Sequence, residues 1–473
     1  AYGDTKGAKE EYTYADNLLK TKKSYNRDNT GWFLETYSYD GFGNITQKVI
    51  TSSIDSNSKI DVAEYDTKGR FVVKKTDNLG LITTITYNDW GQILTQTDPL
   101  GNVMTNEYDG WGKLLKSKSN LGGTTTYAYE KRANLDAVIT QYSPDGNQKI
   151  TYTNKLGQDY KTTTKKFGQN EFVSATVIFD ALGRKINSSE PYSGEYPTKW
   201  NTVEYDDYSR PIKATSFTTK EVTTSYSGRT ATVTETNANN RFKKQTADPI
   251  GNIISSEDMG GIIHLTFNAA GENTEANYEG NSVKTSYDAW GNKVRFEDPS
   301  NGVYEYEYNG YFGAISKTIS PKGDKTYEYN SKGQLTKQKE KTRTGTGTDK
   351  VINFAYNDKG LITQKSGTSS GKSFNSGITY DSFGRVLSSY EDSNGKYFMK
   401  KGITYDEMMR VTSYEKSLYS SGILTKVALE NVYDTWNGEL SKVKEKGTGK
   451  ILWELQHVNE KGQVTQAKLG SVN

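Results

Sequence analysis

Backbone reversals recur along this chain at near-constant intervals, and that recurrence restricts its fold more than any other feature. In Tyr87-Asn88-Asp89-Trp90-Gly91 and Tyr108-Asp109-Gly110-Trp111-Gly112 the Asn or Asp side chain is placed to bond the backbone two residues on. The closing glycine supplies the positive φ that ends a type I turn between antiparallel strands. The signature returns with its Tyr, Asp or Asn, and Gly at Tyr39, Asp40 and Gly43; at Tyr65, Asp66 and Gly69; at Tyr287, Asp288 and Gly291; at Tyr329, Asn330 and Gly333; at Tyr356, Asn357 and Gly360; and at Tyr380, Asp381 and Gly384. Phe179, Phe267 and Val458 head copies that keep the turn and replace the tyrosine. A second turn, Asp98-Pro99-Leu100-Gly101-Asn102, returns at Asp248-Pro249 and Asp298-Pro299 and more loosely at Pro144–Asn147 and Pro321–Gly323; its proline pre-sets φ. Tyr65, Tyr87 and Tyr108 are 22 and 21 residues apart, and Tyr287, Tyr308 and Tyr329 are 21 and 21 apart. The unit is strand, turn, strand, turn. One such hairpin does not hold together in water, so stacked neighbours must supply the burial.

An all-β array of consecutive antiparallel hairpins is therefore expected, with no helix. At 473 residues an ordinary chain would divide into two or more globular domains, whereas repeats grow by addition. The expected division is residues 1–36 as irregular or worn first repeats and 37–473 as one continuous array, part of a longer chain. A mean hydropathy of −0.82 would suggest disorder if the regular turns and 35 tyrosines did not argue otherwise. Tyrosine takes the place of missing aliphatics: its ring stacks on cross-strand neighbours, and its hydroxyl is expected to stay in water.

In these turns the chain resembles the Tyr-Asp (YD) repeat arrays of the Rhs family, which includes bacterial polymorphic toxins, insecticidal toxin-complex subunits and teneurins. The resemblance runs over about residues 37–465. It implies a long β-sheet ribbon that spirals into a hollow shell or part of one. In the toxin members that shell encloses a C-terminal effector polypeptide. The resemblance also implies a partner, an encapsulated or adjacent polypeptide of the same larger protein, and contact with export machinery. A closing C-terminal core segment and a self-cleaving aspartyl site, usual in Rhs toxins, are not legible after Tyr433.

Charge and chemistry narrow the function. Sixty basic and 57 acidic residues leave a net charge of +3, too little to gather nucleic acid or an anionic membrane. No apolar run approaches the length of a membrane helix, and no cysteine is present for a disulfide or a thiolate metal site. His264 lies in a plain strand, Ile262-Ile263-His264-Leu265, and His457 is the only other histidine, so a Ser-His-Asp site has little to draw on. Acidic pairs such as Asp206/Asp207 and Glu64/Asp66 contain turn carboxylates that already have a backbone to cap. Neither the EF-hand loop nor the Gly-Gly-x-Gly-x-Asp calcium repeat occurs. No catalytic residue, cofactor or metal site is expected.

Two readings remain. The first is a non-enzymatic shell segment of a large secreted or cell-surface bacterial protein. The second is an adhesin in which Trp90, Trp111 and Trp290, at turn tips, stack on surface glycans; against it stands the packing of each tip on the next hairpin's turn. Irregularities are expected at residues 130–260, as longer strands or bulges; at Lys339–Lys350, as an exposed loop; and beyond Tyr380, where steps of 25 and 28 residues predict wider hairpins.

Overall fold

Each turn sets the chain back alongside the strand it has just left, so neighbours in sequence become neighbours in the sheet. The structure, a computed structural model, describes residues 7–168, 170–236, 241–342 and 349–470. Among these residues lie forty strands, one 3-10 turn at Tyr311–Gly313 and no α-helix. The strands form one open antiparallel sheet. Register is set at the turns. Tyr39 pairs with Ile45 across a shift between Ser38 and Tyr39, and the same bulge recurs at Tyr65, Tyr87, Tyr287, Tyr329, Tyr356 and Tyr380. The left-handed glycine of each turn produces it, since one extra residue must be absorbed where the hairpin closes.

Burial is thin. Among the described residues the buried apolar ones are Tyr37, Ile85, Val138, Tyr192, Ile403, Leu429, Leu455 and Val458, and no large side chain is completely enclosed. The accessible surface is 28245 Å², against about 17,700 Å² for a compact globular chain of this mass. That excess is what a sheet wetted on much of both faces requires.

By contacts the chain divides into two units: Ala1–Val103 with His264–Lys401 and Ser417–Thr425, and Met104–Ile263 with Gly402–Lys416 and Lys426–Asn473. Each unit therefore combines an early run of hairpins with a late one.

The irregular stretches resolve individually. Residues 10–39 are laddered, with Glu10–Ala15 paired to Leu18–Tyr25 and that strand to Trp32–Tyr39; Asp16 and Asn17 supply positive φ in place of glycine. The long step from Phe179 to Tyr205 arises in the connection between Lys185–Ser189 and Trp200–Tyr205, not in longer strands. There Tyr192 exchanges backbone hydrogen bonds with Ser174. Beyond Tyr380 the strands lengthen, reaching 10 residues in Lys396–Tyr405 and 11 in Ile423–Tyr433. The Lys339–Lys350 insertion falls between Leu335–Thr342 and Lys350–Tyr356; its residues 343–348 lie outside the described residues.

Candidate functional site

The repeated turn is the feature from which any function must be built. In the first regular copy, Asp40 Oδ1 accepts from the amides of Phe42 and Asn44, both at 2.9 Å, while the Gly43 amide donates to the Asp40 carbonyl and the Asp40 amide to that of Asn44. Gly43 has φ +85°. The same set of bonds appears at Asn88, Asp109, Asp288, Asn330, Asn357 and Asp381. Asp66 differs slightly, bonding the amides of Arg70 and Phe71. Backbone donation, foremost from Arg70 to Asp66 and from Arg184 to Asp180, holds those two carboxyls below the usual aspartate range. Glycine is favoured at the closing position but not required. Leu135, Ser209 and Met409 occupy it at φ between +61° and +70°.

A fifth position, just after the glycine, completes the motif and was absent from the sequence reading. In five copies that begin with Asp the residue four later donates to its second oxygen: Asn44 to Asp40, Arg184 to Asp180, Asn292 to Asp288, Arg385 to Asp381 and Arg410 to Asp406. In five copies that begin with Asn the partner is an acceptor: Gln92 for Asn88, Gln158 for Asn154, Glu272 for Asn268, Gln334 for Asn330 and Gln463 for Asn459, while Asn357 is followed at that place by Leu361. Spacing alone carries this signal, because an acceptor-only carboxylate needs a donor and an amide with its oxygen engaged needs an acceptor.

The tyrosine has a partner too. The hydroxyls of Tyr39, Tyr65, Tyr87, Tyr287, Tyr329, Tyr356 and Tyr380 donate to the backbone carbonyls of Leu19, Ile45, Val72, Asn273, Ile315, Leu335 and Ile362. The expectation of a hydroxyl left in water is thereby corrected: each ring bridges to the hairpin before it. Burial accordingly pushes Tyr87, Tyr329, Tyr356 and Tyr380 above the usual phenol range.

Turns alternate between the two edges of the sheet, a Tyr-Asp rim and a return rim. Asp98-Pro99 and Asp298-Pro299 lie on the return rim, whereas Asp248-Pro249 joins Arg241–Ala247 to Ile253–Asp258 and stands where a Tyr-Asp turn would. Within each unit the return rim of the early run meets the Tyr-Asp rim of the late run. In the first unit Arg27 makes a two-pronged pair with Glu272, and its amide donates to the Ala289 carbonyl. The Phe312 amide donates to Asp55 at 2.8 Å, Lys332 Nζ to the Leu79 carbonyl at 3.1 Å, and Leu100 packs on Gly384. Trp290 lies 4.7 Å from the Phe33 ring and against Gly31. In the second unit Trp436 Nε1 donates to the Glu171 carbonyl, its ring meets Phe172 edge-on at 5.4 Å, and Lys165 Nζ stands 3.8 Å above it.

The three tryptophans singled out as glycan platforms thus have different surroundings. Trp90 and Trp111 are 76% and 87% exposed; Trp290 is half-buried between hairpins. His264 and His457 stand on exposed strand positions. Asp206 is engaged by Tyr208 and Arg210, and Glu64 by Lys74. Among the described residues no group of three or more His, Cys, Asp or Glu is placed to hold a metal ion, and no helix is long and apolar enough to cross a membrane.

Comparison with known proteins gives the pattern a context. Residues 65–103 match the family model described as RHS Repeat. No curated protein matches. Among solved structures, TcdB2-TccC3 aligns with 13% identity and a TM-score of 0.59 over 96% of this chain and 30% of its own. The TcdB2-TccC3-Cdc42 structure aligns with 12% identity and a TM-score of 0.59 over 98% and 33%. The Photorhabdus luminescens Tc holotoxin pore aligns with 13% identity and a TM-score of 0.56 over 98% and 32%. The chain thus spans about a third of the length of these structural relatives.

Proposed function

We infer that this chain, an Rhs-type YD-repeat protein, is a non-enzymatic wall segment of a larger secreted or cell-surface bacterial shell that encloses another polypeptide, such as a toxin effector. The observation that carries the reading is that nearly all of its polar turn chemistry is spent on its own backbone. Turn carboxylates cap amides, turn tyrosines bridge hairpins, and late-run turns hold early-run turns. A sheet held this way, with few residues buried, suits a wall better than a pocket. The fold shared with TcdB2-TccC3 supports the same reading. The partner is then the enclosed or adjacent polypeptide of the same larger protein.

Protease protection tests it. The full-length protein is treated with proteinase K, and fragments outside residues 1–473 are followed by mass spectrometry. An enclosed polypeptide survives until the wall is denatured. Cleavage of every other segment at the same rate before and after denaturation would remove the enclosing role.

A second reading, an adhesin, draws on the exposure of Trp90 and Trp111. A glycan array decides it: binding lost in Trp90→Ala and Trp111→Ala supports an adhesin, and binding absent or unchanged dismisses it.

A further inference from the structure

Two turns of this chain are built alike and end differently. Trp290 and Trp436 stand at the same place in their turns, with the Trp290 amide donating to Asp288 at 2.9 Å and the Trp436 amide to Asp434 at 2.8 Å. Each ring rests on an early-run phenylalanine, Phe33 at 4.7 Å in the first unit and Phe172 at 5.4 Å in the second. The strand beside that phenylalanine makes the difference. Phe172 pairs across the ladder with Lys165, whose Nζ stands 3.8 Å from the Trp436 ring centre and donates to the Gly146 carbonyl at 2.7 Å. Phe33 pairs with Ser24, whose hydroxyl donates to Glu10. Arg27, beside Gly291, is committed to Glu272.

Trp290 instead faces a cavity of about 540 Å³, within the range of ligand sites. Trp290, Phe33, Phe312 and Tyr306 give it aromatic walls, Asp288 and Glu307 give it carboxylates, and no lysine or arginine lines it. Phe33 joins the walls, tilted 56° to Trp290 and within 12° of parallel to Phe312. Burial pushes the phenols of Tyr306 and Tyr308 above their usual range, and on such a poorly hydrated wall a cation gains most from a ring face. Rings of this wall already draw ammonium groups: Lys59 Nζ stands 4.3 Å from the centre of Phe312 and Lys293 Nζ 5.3 Å from that of Tyr306, although neither lysine lines the cavity. Glu307 has Lys317 at 3.6 Å, too long for a hydrogen bond, so its oxygens can still accept one.

The same cavity takes in a turn whose capping has been reassigned. In Tyr308-Asn309-Gly310-Tyr311-Phe312-Gly313 the reversal closes one residue late, the Gly310 amide donating to the Ala314 carbonyl at 2.9 Å and the Gly313 amide to that of Gly310 at 3.0 Å. Glycine thus stands where the capping aspartate stands in other copies, and Asp55 accepts from the Phe312 amide in its place. Among the described residues Asn309 is the only second residue of a Tyr-Asp or Tyr-Asn turn whose side chain is not spent on its own backbone. Its carboxamide is exposed and lines the cavity, and its oxygen is an acceptor.

We propose that this cavity binds a primary alkylammonium group, held on the face of Trp290 with Glu307 and Asn309 accepting its N–H donors, as the chain's own Lys165 is held at Trp436. An anionic ligand would meet two carboxylates and no cation. A purely apolar one would leave those carboxylates without a partner. The cavity has room for the body that carries the ammonium, whether a free small amine or a lysine side chain of another polypeptide. The site does not depend on what the shell encloses.

Fluorine NMR of the full-length protein labelled with 5-fluorotryptophan tests it, with the signals of Trp90, Trp290 and Trp436 assigned by replacing each in turn with Phe. The probe is Nα-acetyl-lysine amide, and Nα-acetyl-norleucine amide is its uncharged counterpart. Expected is a saturable shift of the Trp290 signal, in the millimolar range, with the charged probe alone. Trp436, already covered by Lys165, should not move. Glu307→Gln is expected to weaken binding about fivefold without changing the melting temperature. Ser24→Lys, which gives Phe33 the neighbour that Phe172 has, should weaken it about tenfold. A titration with 1,5-diaminopentane separates the sources: tighter binding than the amide assigns a free amine, and weaker binding assigns a lysine side chain. No saturable shift at Trp290, an equal response to the norleucine amide, an equal response at Trp90, or binding unchanged in either variant would overturn the proposal.

Discussion

Trp90 and Trp290 occupy the same position in turns of the same geometry in the same unit, yet one ring projects into solvent and the other is held between hairpins. Trp111 and Trp436 repeat the contrast in the other unit. The difference teaches that the motif decides how the backbone reverses and leaves open what the tip touches. Local hydrogen bonds close the turn within five residues, whereas the tip's surroundings come from a hairpin more than two hundred residues away.

The contrast is broken most forcefully at the closing glycine. A β-branched residue at positive φ costs about 1–3 kcal/mol wherever it is placed. Gly384→Val must in addition displace Leu100, whereas Gly251→Val meets open space. Gly384→Val is therefore expected to lower stability in a urea melt by about 2 kcal/mol more than Gly251→Val. Equal losses would mean that the late-run turns are not seated. Gly91→Val, whose Cβ would stand 2.7 Å from the Phe71 ring, should likewise far exceed Trp90→Ala; equal melting shifts there would refute the turn geometry.

Next in size is the pair of tryptophans themselves. Trp290→Ala removes a ring packed on Phe33 and is expected to cost about 2–3 kcal/mol by thermal or chemical melting, while Trp90→Ala stays within about 0.5 kcal/mol. A comparable loss at both sites would erase the distinction between covered and open tips.

A pH titration sharpens it further. The hydrogen bond from Arg27, foremost, holds the Glu272 carboxyl below the usual glutamate range. A group whose folded pKa is depressed contributes stability that is fully present above its unfolded value, about 4.3, and is lost as pH falls through the folded value. Wild-type stability is thus expected to decline below about pH 4.3, and Glu272→Gln to flatten part of that decline while lowering stability at neutral pH by about 1–2 kcal/mol. An unchanged acid limb in the variant would show that this rim contact contributes nothing.

The smallest effect should ignore the contrast altogether. Tyr87→Phe on the early run and Tyr329→Phe on the late run each lose one hydroxyl bond to the preceding hairpin, so both are expected to cost about 1 kcal/mol. A large difference between the two would mean that covering reaches the body of the sheet and not only its rim.

Much of this was legible beforehand. Tyr39, Asp40 and Gly43 announce their turn because every bond they make lies within a few residues, apart from the tyrosine hydroxyl, which reaches back to Leu19. The pairing of Asp with a donor and Asn with an acceptor four residues on is equally local, but it lies one residue beyond the glycine and so outside the Tyr-Asp-Gly signature. At Met409 and Ser209 the left-handed backbone was not legible, because the flanking hydrogen bonds impose it and not the residue type.

What the amino-acid order alone determined is the strand, the turn and the antiparallel ladder, all of which depend on interactions between near neighbours whose spacing can be counted. Which rim lies against which, and hence which of several identical tips is buried, was decided only by the tertiary structure. That choice depends on partners such as Arg27 and Glu272, far apart in the chain and not encoded in any repeating interval.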